Sequence, residues 1–165
     1  MRLARALRVA LALAGAALAA CHRAGARMPE AERGSTRIDS IEGVVRVVGL
    51  DALPMVTLAM DDATPSVALD GPASLRRVDG LRIAAVGERA GVRLTVRRFV
   101  VLAANGVHAT DGVLAKDGDA TVLVTGDGVR HRLVNAPPLL RDNPGHRAWV
   151  SGPLDREPVA FGIIE

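Results

Sequence analysis

Tyrosine is absent, Trp149 is the only tryptophan, and Phe99 and Phe161 are the only phenylalanines. So few rings leave little with which to build a platform of exposed aromatics for single-stranded nucleic acid. Cys21 is the only cysteine, so no disulfide can form within the chain. Of the 21 basic residues 20 are arginine, Lys116 being the exception. The phosphate-cradling patterns GxGxxG and GxxxxGK[ST] do not occur, nor do the nucleophile patterns GxSxG and SxxK. Nothing in the sequence therefore supports a nucleotide cofactor or the common serine-hydrolase arrangements, and no cofactor is expected.

What is present begins with an address. Arg2, Arg5 and Arg8 precede an apolar stretch from Val9 to Ala20, closed by small residues. A basic end followed by a short apolar core is the layout of a secretory signal. The stretch has 12 residues, against about 20 needed to cross a bilayer. The stretch ends in Leu18-Ala19-Ala20-Cys21, which resembles the lipobox of bacterial lipoproteins. That resemblance implies cleavage before Cys21, a diacylglycerol on its sulfur, and a mature chain held at a lipid bilayer by its first residue. Two or three acyl chains hold a protein at a membrane where one binds reversibly. By the same resemblance His22, in place of the aspartate linked with inner-membrane retention, implies the periplasmic face of the outer membrane. The inner membrane and the cell surface are the alternatives. Without lipidation the chain would carry a lone thiol, reactive in an oxidising compartment.

Removing residues 1–20 also removes three arginines, so a net charge of +3 falls to 18 basic against 18 acidic residues. A neutral mature chain has no global attraction for polyanions, which argues against nucleic acid as a partner. Residues 21–37 mix charge, Gly and Pro without an apolar period and read as a lipidated tether.

From Ile38 onward the apolar pattern is one of strands. Val44/Val48 and Val45/Val47 alternate around Arg46, and Val92, Leu94 and Val96 alternate in a longer strand. The phase breaks at Arg97-Arg98-Phe99, where a bulge would return Phe99 and Val101 to one face. Thr125-Gly126-Asp127-Gly128 reads as a hairpin turn. EGVVRVVG from Glu42 corresponds to DGVLAKDG from Asp111, and the segment from Val67 to Gly87 corresponds to that from His131 to Gly152. In this alignment Leu75-Arg76-Arg77 falls on Leu140-Arg141-Asp142, and the pattern indicates an internal repeat.

The expected fold is all-β, with two small barrels in tandem over residues 38–103 and 107–165 and a single β-sandwich as the alternative. In element order each unit resembles an OB-like barrel. The interior of the first is expected from Val45, Val47, Leu58, Val67, Leu69, Leu81, Ile83, Val86, Val92, Leu94 and Val96. That of the second is expected from Val113, Leu123, Leu133, Leu139, Trp149, Val150, Phe161 and Ile163.

Chemistry is sparse. His108 and Asp111 lie on opposite faces of an alternating strand, which opposes an acid/base pair. His108, His131 and His146 with Asp111, Asp117, Asp119 and Asp127 do not complete a calcium-loop pattern, so no metal site is assigned. Arg76, Arg82, Arg93 and Arg98 are the candidate contacts for an anionic ligand or glycan. The leading functional expectation is a non-catalytic, lipid-anchored interaction or envelope-assembly module with an envelope protein as partner. Binding of a small anionic ligand or glycan by an OB-like groove is the second reading, and an uncharacterised hydrolase the third.

Overall fold

A computed structural model describes residues 37–49, 54–61 and 65–165. The expected signal, the lipobox with Cys21, and all but the last residue of the tether lie outside the described residues. The protein is all-β. The first five strands are β1 (Arg37–Val48), β2 (Met55–Ala59), β3 (Val67–Asp70), β4 (Arg82–Ala90) and β5 (Arg93–Ala104). The next five are β6 (Val107–Asp117), β7 (Ala120–Thr125), β8 (Arg130–Arg132), β9 (Arg147–Ser151) and β10 (Ala160–Ile163). A 3-10 helix, Ala73–Val78, joins β3 to β4, and the short helix α1, Pro138–Arg141, joins β8 to β9.

In the first unit β1 pairs with both β2 and β4, β2 with β3, and β4 with β5, all antiparallel. A parallel pair between β3 and β5 then returns the chain of pairings to its start. Among the described residues the chain of pairings closes on itself as a ring. The second unit repeats the plan, with β6 between β7 and β9, β8 beside β7, and β10 beside β9. Among the described residues no pairing joins β8 to β10, so of the two expected barrels only the first is closed.

The repeat extends to individual residue pairs. Gly43 faces Ile83 as Gly112 faces Ala148, and Val45 faces Leu58 as Leu114 faces Leu123. Leu58 faces Val67 as Leu123 faces His131, and Ala85 faces Phe99 as Val150 faces Phe161. The connectors agree as well. Leu75 N–H donates to Pro72 O at 3.1 Å and Leu140 N–H to Pro137 O at 2.9 Å; Gly80 N–H donates to Val45 O at 2.9 Å and Gly145 N–H to Leu114 O at 2.7 Å. The two phenylalanines of the chain therefore occupy one position of the repeat. A first strand serving two neighbours bends closely over the second. A Cβ on Gly43 would lie 2.4 Å from Ala59 O, and one on Gly112 would lie 2.5 Å from Val124 O, so both positions exclude a side chain.

The open unit differs where its sequence differs. Ten residues, Glu88–Arg97, separate Gly87 from Arg98 in the first unit, whereas seven, Pro153–Val159, separate Gly152 from Ala160 in the second. Those ten residues extend β4, turn at Gly91, and supply the half of β5 that pairs with β3. The shorter segment contains Pro153 and Pro158, which have no N–H for a ladder. It runs as an irregular loop, and its half-buried Leu154 packs against the second core.

The bulge lies where the phase break predicts it. Val86 pairs with Arg98 and Gly87 with Val96, so Arg97 is the extra residue and Phe99 and Val101 return to the interior. Val45, Leu58, Val67, Leu69, Leu81, Ile83, Leu94 and Val96 fill the first core as expected. Val47 is half-buried, Val86 yields the interior to Ala85 and Gly87, and Val92 lies in the exposed turn between β4 and β5. In the second core Leu123, Leu133 and Val150 are buried, whereas Val113 and Leu139 point outward and Leu114 and Leu140 replace them. Phe161 and Ile163 pack half-buried against that core.

Trp149 also departs from expectation. It alternates with Ala148 and Val150, which face the second core, and so projects from the other side of β9. There it joins Ala109 and Ile164 in the cluster containing the first core. A Cβ on Gly162 would approach Trp149 Nε1 to 2.8 Å, so the indole lies over the bare backbone of β10. The hairpin of Asn105 and Gly106, with φ values of 50° and 77°, turns β5 directly into β6. The two units therefore share buried surface. Trp149→Ala is expected to lower stability by about 3–5 kcal/mol, and urea unfolding should show both units melting in a single transition. Separate transitions in the unaltered protein would contradict a shared core.

Candidate functional site

The strongest polar constellation lies at the junction of the units. Asp111 on β6 is buried, its side chain 5% exposed. Arg147 on β9 grips it bidentately, Nε to Oδ1 at 2.9 Å and Nη2 to Oδ2 at 2.7 Å. Val101 N–H of the first unit donates to the same carboxylate at 2.9 Å, and Arg147 Nη2 also donates to the Phe99 carbonyl oxygen. The guanidinium carbon lies 4.5 Å from the centroid of the Phe99 ring, within cation–π range. A planar fork satisfies a carboxylate, a carbonyl and a ring face together, which a lysine could not do. In the repeat Arg147 corresponds to Arg82 and Asp111 to Glu42. With its carboxylate engaged from three donors, Asp111 serves as a clamp between units. His108 stands exposed three residues away on the same strand.

The four candidate arginines do not converge. Arg82 sits opposite Ala103 at one end of the β4–β5 ladder and Arg93 opposite Ala90 at the other, with Arg98 at the bulge between them. The ten residue steps between Arg93 and Ala103 span roughly 30 Å in extended chain. Arg82 is hydrogen-bonded to Asp61, and Arg93 to Asp70 at 2.6 Å. Of the four, only Arg76 and Arg93 line a common cleft, of about 310 Å³, lined also by Met55, Leu69, Asp70 and Pro72. Among the described residues, no three His, Cys, Asp or Glu side chains come together as metal ligands.

The second site is backbone rather than side chain. Leu133 N–H donates to Thr121 O at 2.9 Å and Thr125 N–H to Val129 O at 3.0 Å. Between them His131 faces Leu123, and Arg130 and Arg132 face Val124 and Val122. The alternation of an antiparallel ladder directs the polar groups of Val129, His131 and Leu133 toward β7, and those of Arg130 and Arg132 away from it. In the closed unit Ala68 holds the place of Arg132, and its N–H donates to Val92 O at 2.9 Å across the β3–β5 pair. Among the described residues no such backbone partner meets Arg132. The side chains of Arg130 and Arg132 are exposed and, again among the described residues, form no ion pair. The sequence signal for this edge was present in Pro153 and Pro158, but it becomes readable only against the closed unit.

The turn leading into β8 is held by Asp127. Its carboxylate accepts from the Thr125 hydroxyl and from Val129 N–H at 3.3 Å, while Gly128 takes a φ of 85°. Comparison with protein families, with curated proteins and with solved structures gives no match for this chain. The site is therefore described by its own geometry.

Two outcomes follow from the electrostatics. Asp111→Ala leaves Arg147 without its carboxylate at a buried junction and is expected to cost about 3–5 kcal/mol in denaturant unfolding. Replacing both by well-packed apolar residues should recover much of that loss. Three carboxylates are held below their usual range. Arg89 does this for Asp39, Arg82 for Asp61, and the Thr125 hydroxyl, followed by Val129 N–H, for Asp127. Because the folded values are depressed, their contribution is complete above the unfolded value of about 3.9. It is lost as pH falls through the folded values. Thermal unfolding scanned from pH 6 to pH 2 should show midpoints falling only below about pH 4, and a decline beginning near neutrality would refute this assignment.

Proposed function

We propose that this chain is a lipid-anchored, non-catalytic interaction module of the bacterial envelope, held at a membrane through Cys21 and engaging a protein partner through its second unit. The observation that carries the reading is the outward-facing backbone of Arg130 and Arg132, where the corresponding β3 of the first unit is paired. A closed ring beside an open one supplies a rigid support and a surface with unsatisfied hydrogen-bonding capacity. The clamp of Arg147, Asp111 and Phe99 joins them, so an edge on one unit is presented at a fixed angle to the other. The element order of the closed unit, with its parallel β3–β5 pair, supports the OB-like likeness. The LAAC sequence supports the anchor. Confinement by acyl chains raises the local concentration of edge and partner, so a modest intrinsic affinity suffices.

Intact mass of the membrane-extracted protein should show a chain beginning at Cys21 with added diacylglycerol. Cys21→Ser should move the protein from the membrane to the soluble fraction. A photocrosslinker at Arg130 should capture an envelope protein in cells, while one at Arg46, on a strand paired on both sides, should not. An unmodified thiol, or equal capture from both positions, would remove the basis for the module.

A second reading, recognition of a small anionic ligand or glycan, is favoured by the cleft that Arg76 and Arg93 both line. A sulfated oligosaccharide that raises the melting temperature saturably, and fails to do so with Arg76→Ala, would support it.

A further inference from the structure

We propose that the open edge of β8 takes an extended acidic peptide segment, running parallel to β8 and alternating acidic with small apolar residues, in the slot that the first half of β5 fills in the closed unit. This deepens the interaction-module reading and rests on it for the biological setting, though the edge itself is a property of the fold.

The closed unit specifies the geometry of the missing strand. There β3 and β5 run parallel, Ala68 beside Arg93, Leu69 beside Leu94 and Asp70 beside Thr95. Leu69 and Leu94 both lie in the core, while Asp70 and Arg93 form an ion pair on the outer face. Through the repeat, Leu133 stands for Leu69 and Arg132 for Ala68. A strand in the equivalent slot would give a carbonyl to Arg132 N–H, as Val92 does to Ala68. Its alternate side chains would then point toward Leu133 and toward the outer face, where Arg130 and Arg132 project.

Two features select the chemistry of the occupant. The inner positions must be small and apolar, because they come beside Leu133 at the margin of a core against which Leu154 and Ala136 already pack. The outer positions must be acidic, because they come beside Arg130 and Arg132; the nearby Asp127 is occupied by Thr125 and Val129. The same charges disfavour a second copy of this chain. Pairing two β8 edges would set arginines of one beside arginines of the other, and like charges across a strand pair are destabilising. Arginines on a short edge protect against indiscriminate pairing while leaving an acidic strand as the favoured entrant.

The test uses the full chain in detergent micelles and three synthetic ten-residue peptides: one alternating Asp or Glu with Ala or Val, one with the acids replaced by lysine, and one of the acidic composition with its acids clustered at one end. Binding is followed by titration calorimetry and by amide hydrogen exchange. The alternating acidic peptide should bind saturably, weaken as salt is raised, and slow exchange at Arg132 N–H more than at the amides of β1. The lysine peptide should not bind, and the clustered peptide should bind about tenfold more weakly or worse. Charge reversal in R130E/R132E should exchange the preference, the lysine peptide now binding and the acidic one not. Arg132→Pro, which removes both the outward-facing N–H and one guanidinium, should weaken calorimetric binding of the acidic peptide more than Arg132→Ala, which removes the charge alone. Trp149 fluorescence reports whether each variant retains its fold, and hydrogen exchange in the unaltered chain stands independently of every variant. Absence of saturable binding, binding indifferent to charge reversal, or protection confined to the first unit would overturn the proposal. If the acidic peptide binds at β8 but Cys21 proves unlipidated, the envelope-anchor reading fails and the edge remains. If Cys21 is lipidated and Arg130 crosslinks a partner but no acidic peptide binds, the reverse holds.

Discussion

A strand shared between two neighbours has to curve, and in both units a single glycine makes that possible. At Gly43 and Gly112 a methyl group would collide with a backbone oxygen of the second strand, at Ala59 and Val124 respectively. Because the obstruction is backbone, no rotamer change relieves it. Every later pairing depends on this contact: the first strand meets the second on one side and the fourth on the other, and the third and fifth attach to those. Identical registers in four ladders follow from the same curved strand used twice.

What separates the units is the β4–β5 connection and its counterpart. Ten residues in the first allow β4 to lengthen, reverse at Gly91 and return as the half of β5 that completes the ring. Seven residues with two prolines in the second allow neither. Among the described residues the first unit thus pairs the outer side of β3 with β5, and the second keeps donors and acceptors directed outward at Arg130 and Arg132. The half-buried fork of Arg147 on Asp111, with the Phe99 carbonyl and ring, binds the open unit to the closed one. Its desolvation is offset by three partners acting on one guanidinium, an arrangement that fixes orientation as much as it stabilises.

Legibility of the sequence varied with the kind of signal. The bulge at Arg97 was readable because a period of two cannot place Val96 and Phe99 on one face without an extra residue. The turn at Asp127 was readable from its Asp and Gly. Interior phase failed at Val113 and Leu139, where adjacent apolar residues offered two solutions; the repeat alignment, which sets Leu140 on Leu75, held the better one. Trp149 was assigned to the interior of its own unit because local alternation cannot say which face of a strand meets a second body. The candidate arginines looked like a cluster through proximity in sequence, yet a strand ten residue steps long carries Arg82 and Arg93 to opposite ends of one ladder.

The all-β class, the repeat, the turns, and the small number of residues able to do chemistry are legible along the chain, since each is written in local spacing and residue type. Tertiary structure alone decided that one ring closes and the other does not, that Trp149 serves the junction, and that Asp111 is a clamp. Those outcomes depend on which distant strands meet, and hydrogen bonding between strands is made by backbone groups that are the same in every residue but proline. An unfilled edge is therefore visible only where its filled counterpart can be laid beside it.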